Sequence, residues 1–103
     1  MTYQIEFSVR ALRKFESLPK DVRKRLQPAI TALAENPRPA GAIILKGLDR
    51  CYRVRKGDYR IVYAVRDDRL VVLVLNVSDR KEVYDAKEMK AALRDLKGWL
   101  RSL

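Results

Sequence analysis

Arg53, Arg55 and Arg60 are three guanidinium groups whose spacing aims them at one place. The run Cys51-Tyr52-Arg53-Val54-Arg55-Lys56 alternates polar and apolar residues, as does the start of Asp58-Tyr59-Arg60-Ile61-Val62-Tyr63. Such alternation predicts half-buried strands. Gly57-Asp58 between them suits a two-residue hairpin turn of type II′ or I′. That turn pairs Lys56 with Tyr59, Arg55 with Arg60, Val54 with Ile61, Arg53 with Val62 and Tyr52 with Tyr63. Side chains two apart share a face, so the three arginines converge. Like charges directly opposite each other destabilise a sheet. The cluster is either a solvated basic surface or a site for a polyanion, whose phosphate oxygens arginine forks bind in pairs.

Composition sharpens that choice. The chain has 23 Lys+Arg against 13 Asp+Glu, a formal net charge of +10 in 103 residues. A field of that size favours nucleic acid or an acidic protein partner. There is no histidine, which excludes His-ligated metals, His-based triads and His proton shuttles, and leaves any catalysis to Arg, Lys, Tyr, Asp or Glu. The single cysteine, Cys51, excludes an intrachain disulfide and a multi-Cys metal site, and reads as a small apolar core residue. No phosphate-binding loop or dinucleotide glycine pattern is present. No metal and no organic cofactor are therefore expected. No run is long and apolar enough to span a membrane, and residues 1–7 lack the pattern of a signal peptide. The expected location is the cytoplasm.

The elements that must position the arginines follow from periodicity. A chain of this length is one domain, residues 1–103, able to bury a single core. Tyr3, Ile5 and Phe7 alternate with polar neighbours and open the chain as a strand. Ser8 can cap a helix, in which Val9, Leu12, Phe15 and Leu18 recur at helical spacing. Pro19 ends that helix and suits the first turn of the next. The second helix carries Val22, Leu26, Ile30 and Leu33 on one stripe, with Pro28 inside it to kink it or remove a hydrogen bond. The pair forms a helical hairpin, closed by Asn36-Pro37-Arg38-Pro39. Ile43, Ile44 and Leu45 suggest a short extended piece before the β-hairpin, whose second strand runs to about Arg66 and a turn at Asp67-Asp68. Residues 69–77 are nearly continuously apolar, as expected of a strand buried on both faces. Glu82-Val83-Tyr84 suggests a brief edge strand after the polar loop Ser78-Asp79-Arg80-Lys81. Met89, Leu93, Leu96, Leu100 and Leu103 make residues 86–103 an amphipathic C-terminal helix, with Trp99 beside the stripe. The predicted fold is α+β: a small antiparallel sheet in the order strand-helix-helix-strand-strand-strand-helix. The helical hairpin covers one face and the arginines lie on the other.

Three stretches carry a family resemblance: Leu45-Lys46-Gly47-Leu48; Tyr52-Arg53-Val54-Arg55-Lys56-Gly57-Asp58-Tyr59-Arg60-Ile61-Val62-Tyr63; and Val77-Ser78-Asp79-Arg80-Lys81-Glu82-Val83-Tyr84. With the order of elements from Tyr3 to Tyr84, they resemble the RelE/ParE toxin superfamily of type II toxin–antitoxin systems. The resemblance implies the fold of RelE-like microbial ribonucleases. RelE-like members are messenger RNA endonucleases (mRNA interferases) that act in the ribosomal A site and inhibit translation; ParE-like members inhibit DNA gyrase without the full cationic set. The RelE-like surface uses basic residues on both hairpin strands, an arginine after the last long strand and a tyrosine beyond it. Arg53, Arg55, Arg60, Arg80 and Tyr84 occupy those places and are the implied catalytic residues, with Lys46, Lys56 and Lys81 as RNA-binding neighbours. Arg53 and Arg55 stand where well-studied members carry lysines, and Asp79 where many carry histidine or lysine. The implied partners are mRNA, ribosomal RNA and an acidic, partly disordered cognate antitoxin through which the complex would bind operator DNA. A plain nucleic-acid-binding module that does not cut remains a third reading.

The chemistry such residues could support is metal-independent. The 2′-hydroxyl attacks the adjacent phosphorus, giving a cyclic phosphate and a free 5′-hydroxyl. Arg53, Arg55 and Arg60 suit stabilisation of the pentavalent phosphorane. Arginine stays protonated and is a poor base, so in-line positioning would supply much of the rate. On this reading Tyr84 stacks on a base or orients the 2′-hydroxyl, and Arg80 neutralises or protonates the leaving oxygen. The bland alternatives are an Arg80 ion pair with Asp79 or Glu82, and a core role for Tyr84. Tyr52, Tyr59 and Tyr63 read as structural. Lys14, Lys20, Arg23 and Lys24 suit sequence-blind contact with RNA backbone. The C-terminal stripe suits packing on the domain, an antitoxin contact or a dimer contact.

Overall fold

The computed structural model describes residues 2–47, 50–79 and 86–102. Its elements are β1 (Gln4–Phe7), α1 (Val9–Glu16), α2 (Lys20–Ala32), β2 (Ile43–Ile44), β3 (Cys51–Lys56), β4 (Tyr59–Arg66), β5 (Val71–Asp79) and α3 (Ala86–Ser102). They form an α+β fold around a five-stranded sheet of order β1-β5-β4-β3-β2. The expected edge strand at residues 82–84 lies outside the described residues.

Strands β2 to β5 form the expected antiparallel meander. The sheet as a whole is mixed, because β1 pairs with β5 in parallel, from Gln4 opposite Val71 to Phe7 opposite Val74. Alternation in β1 shows which face it buries but not which strand it joins. No tight turn links the two, so their relative direction is set by everything between them. β5, flanked by β1 and β4 and covered on both faces, is buried from Val71 to Ser78, which explains its apolar run.

Ser8 caps α1: its hydroxyl accepts from the Ala11 amide at 3.1 Å. Pro19 stands just before α2, at the N-cap, where its missing N–H costs nothing. Helices α1 and α2 cover one face of the sheet. There Ala11, Val22, Leu26, Ile30 and Leu33 pack against Val54, Ile61, Tyr63, Val65, Val72, Val74 and Val77. The inner face of α1 differs from the expected stripe. Ala11 is its buried residue, Phe15 and Leu18 pack partly, and Val9 and Leu12 are exposed. Arg10 and Lys14 on α1 instead reach α3, where both bond Glu88, at 2.6 and 3.2 Å.

Helix α3 packs on the other face. Ala92 and Leu96 are buried against Cys51, Val62, Ala64, Leu73 and Leu75, with Met89, Leu93, Trp99 and Leu100 at the margin. The C-terminal stripe therefore faces the domain. The face opposite the helical hairpin is shared between this second core and the arginines.

Candidate phosphate-binding face

The β3–β4 hairpin has the predicted register, including Arg55 opposite Arg60 and Arg53 opposite Val62. Gly57 has φ +60, while Asp58 is not among the residues with positive φ. Positive φ at the first turn position alone matches type II′ rather than I′. The pleat then puts Arg53 and Arg55 on the face of Cys51, and Arg60 on the face of Val62, both on the α3 side of the sheet. Arg55 is exposed and donates from Nε to the Gly57 carbonyl at 3.2 Å. Arg53 and Arg60 are half-buried. The ion pairs among the described residues gather elsewhere, at Arg10–Glu88, Arg38–Asp67 and Arg66–Asp68. Arg53 Nε and Arg60 Nε and Nη1 are buried with no acceptor among the described residues. Such donors are costly to leave unmade, and what would satisfy them is an anionic oxygen.

Beside them on β5 lie Asn76 and Ser78, the two buried polar residues among the described residues, each 1% exposed. Asn76 pairs with Val62 and Ser78 with Arg60. Their orientation depends on a β-bulge. Val62 faces Asn76 but Tyr63 faces Val74, so Leu75 is an extra residue on β5. Unbroken alternation from Leu73 would send Asn76 and Ser78 into the core under α1 and α2. The inserted residue reverses the parity and turns both toward the arginines, the re-aiming that bulges perform near functional sites. The Ser78 hydroxyl donates to Asn76 Oδ1 at 2.8 Å, while Asn76 Nδ2 has no partner among the described residues. Sequence reading missed this pair. Its signal was two polar residues near the end of an otherwise apolar strand.

The remaining candidates fall differently. Lys56 pairs with Tyr59, as its register predicts, and that ring packs on the helical-hairpin side. It borders a hollow with Val22, Arg25 and Leu26 of α2. One residue beyond Arg55, strand alternation turns it away from the arginine face. Lys46 is exposed in the turn after β2. Arg80, Lys81 and Tyr84 lie outside the described residues.

The tyrosines of the hairpin serve its packing. Tyr63 is fully buried and donates to the Pro37 carbonyl at 2.6 Å; burial pushes its hydroxyl up to about 12, with Tyr52 adding and Arg38 opposing. Tyr52 stacks on Tyr63 with centroids 5.9 Å apart and accepts from Arg38 Nε at 2.8 Å. Arg38 grips Asp67 through both carboxylate oxygens, at 3.1 and 2.7 Å, and Tyr3 donates to the same carboxylate at 2.6 Å. The Arg38 and Tyr3 hydrogen bonds hold Asp67 below the usual carboxylate range. This lattice ties the segment after α2 to the outer end of β4 and keeps the hairpin fixed behind the arginines.

Residues 5–84 match the family model for the ParE toxin of type II toxin–antitoxin systems. The chain is 38% identical over 88 residues to the mRNA interferase toxin RelE of Escherichia coli, covering 82% of this chain and 92% of that protein. The free Escherichia coli RelE toxin, solved as a doubly substituted variant, superposes with TM-score 0.75 at 29% identity, covering 91% of this chain and 97% of that one. The archaeal RelE of Pyrococcus horikoshii, solved in complex with RelB, gives TM-score 0.69 at 30% identity over 80% of this chain and 99% of that one. The mixed sheet and the helices of the described residues thus belong to a known lineage: the chain is a member of the RelE/ParE toxin superfamily of type II toxin–antitoxin systems.

Proposed function

We propose that this protein is an mRNA interferase toxin that cuts messenger RNA in the ribosomal A site, with the arginine face as its phosphate clamp. The observation that carries the reading is the convergence of Arg53, Arg55 and Arg60 on one face, with buried guanidinium donors that lack an acceptor among the described residues. The relative named an mRNA interferase, matched along 92% of its length, supports it. In the reaction the 2′-oxygen bonds to phosphorus as its proton departs. The bond from phosphorus to the 5′-oxygen breaks, and that oxygen takes up a proton. Arg53, Arg55 and Arg60 hold the charge that builds on the phosphorane oxygens. Arg80 attends the leaving oxygen and Tyr84 sets the 2′-hydroxyl in line. The ribosome supplies the shape of the message, which suits an enzyme whose cations are poor bases. No metal takes part.

The same face is where an acidic antitoxin would compete with RNA. RelE relatives have been solved with their RelB antitoxin, and a partner of that kind, bringing operator DNA binding with it, is proposed here. The cytoplasm is the proposed location; among the described residues no helix is long and apolar enough to cross a membrane.

The matched family model is named for ParE, which favours a second reading, a gyrase inhibitor without catalysis. Primer extension on a defined mRNA with programmed ribosomes separates the two. Discrete A-site cuts from the wild type, lost in the Arg60→Ala/Arg80→Ala double variant, are expected. An uncut message together with loss of gyrase supercoiling would replace the interferase reading with the second.

A further inference from the structure

We infer that Asn76 is a further substrate-binding residue of the arginine face, donating its amide N–H to a non-bridging oxygen of the RNA phosphodiester, with Ser78 as the residue that orients it. The inference rests on the interferase reading and adds an uncharged arm to the clamp.

Register gives the layout. Arg55, Arg60 and Ser78 form one row across the sheet; Arg53, Val62 and Asn76 form the next. The bulge at Leu75 brings the two polar residues onto this face. Four buried nitrogens on it want an acceptor: Arg53 Nε, Arg60 Nε, Arg60 Nη1 and Asn76 Nδ2. All four are donors, so none can satisfy another. The Ser78 hydroxyl takes the acceptor end of the amide, at Oδ1. That contact fixes which way the carboxamide points and leaves its donor end for something else. A phosphodiester presents two anionic oxygens, each with several lone pairs, and fits a floor made only of donors.

Asn76 is 1% exposed in the free protein. A phosphate reaches Nδ2 as the half-buried Arg53 and Arg60 side chains turn outward onto its oxygens. One movement then gives all the orphan donors an acceptor. Val62 between Arg53 and Asn76 keeps the floor dry, which strengthens each hydrogen bond made there.

The test is single-turnover cleavage on programmed ribosomes, with mRNA carrying a single phosphorothioate of either configuration at the scissile position. Wild type is expected to cut one diastereomer more slowly than the other. Asn76→Leu, which removes the donor at similar volume, is expected to slow cutting of the all-oxygen message by roughly 10- to 100-fold. It should also shrink the difference between diastereomers, and its melting temperature should stay level or rise as an orphan donor leaves the core. Ser78→Ala is expected to show the same pattern more weakly, roughly 3- to 10-fold, and provides the test should Asn76→Leu fail to fold. A folded Asn76→Leu or Ser78→Ala protein with wild-type rate and wild-type diastereomer preference would overturn the inference while leaving the interferase reading intact. A wild type that cuts no message would overturn both.

Discussion

Arg60 lies across from Arg55, and two of its nitrogens are buried without an acceptor among the described residues. Like charges directly opposite each other cost a sheet up to about 1 kcal/mol, and each unmade buried hydrogen bond adds to that. The site should therefore cost stability in the free protein. Arg60→Leu is expected to raise stability by about 1 kcal/mol, about 4–8 °C in melting temperature for a domain of this size, while abolishing A-site cleavage. Thermal denaturation of the purified variant beside the cleavage assay checks both halves. A variant that melts below the wild type would mean that the guanidinium contributes more through packing of its stem than its charge costs.

At the scale of elements, helix α3 is latched by charge as well as by its apolar stripe. Glu88 accepts from Arg10 and Lys14, and Asp95 lies 3.5 Å from Arg10 Nε. Burial pushes the Glu88 carboxyl up, but the Arg10 and Lys14 hydrogen bonds outweigh it and hold Glu88 below its ordinary value. A depressed carboxyl contributes stability above its unfolded-state pKa and loses it as pH falls through the folded one. Glu88→Gln is thus expected to cost about 1 kcal/mol near neutrality and progressively less as acid protonates the carboxyl, read from urea unfolding of both proteins as the pH is stepped down. The elements also show what the sequence made legible. Alternation plus a Gly-X turn sets the hairpin register residue by residue, so the convergence of Arg53, Arg55 and Arg60 was readable. The same register places Lys56 on the other face. Asn76 and Ser78 were hidden because one inserted residue, Leu75, inverts the facing of everything after it, and no local pattern announces a bulge. The parallel seating of β1 was equally hidden, being decided by partners far along the chain.

For the whole molecule, acid and alkali act at different places. Acid acts on the carboxylates held low by their cations, Glu88 at the α1–α3 seam and Asp67 beside Arg38. Alkali acts through the centre of the fold. Burial raises Tyr63 from its ordinary 10 to about 12. A group raised in the folded state gives stability that is whole below its unfolded pKa and is lost as pH climbs through the folded one. Global stability should fall between pH 10 and about 12, by on the order of 3 kcal/mol. Tyr63→Phe should flatten that decline, at the cost of the hydrogen bond to the Pro37 carbonyl. Denaturant midpoints at stepped alkaline pH make the comparison, and an equally steep decline in the variant would assign it to other groups.

The parallel pairing of β1 with β5 also bears on biosynthesis. Gln4 finds its neighbour only when Val71 is available, and Arg60 meets Ser78 only when β5 is in place. While the protein is being made, the first strand and helix α1, which packs on β5, must wait for β5 to leave the exit tunnel. Closure over so long a separation is slow compared with local hairpin formation. An interrupted translation product ending before β5 would hold the hairpin arginines but neither the floor beneath them nor the sheet that seats it. Such a fragment would be inert and open to proteolysis. A chain proposed to act on ribosomes would thus become harmful only after β5 has emerged from one.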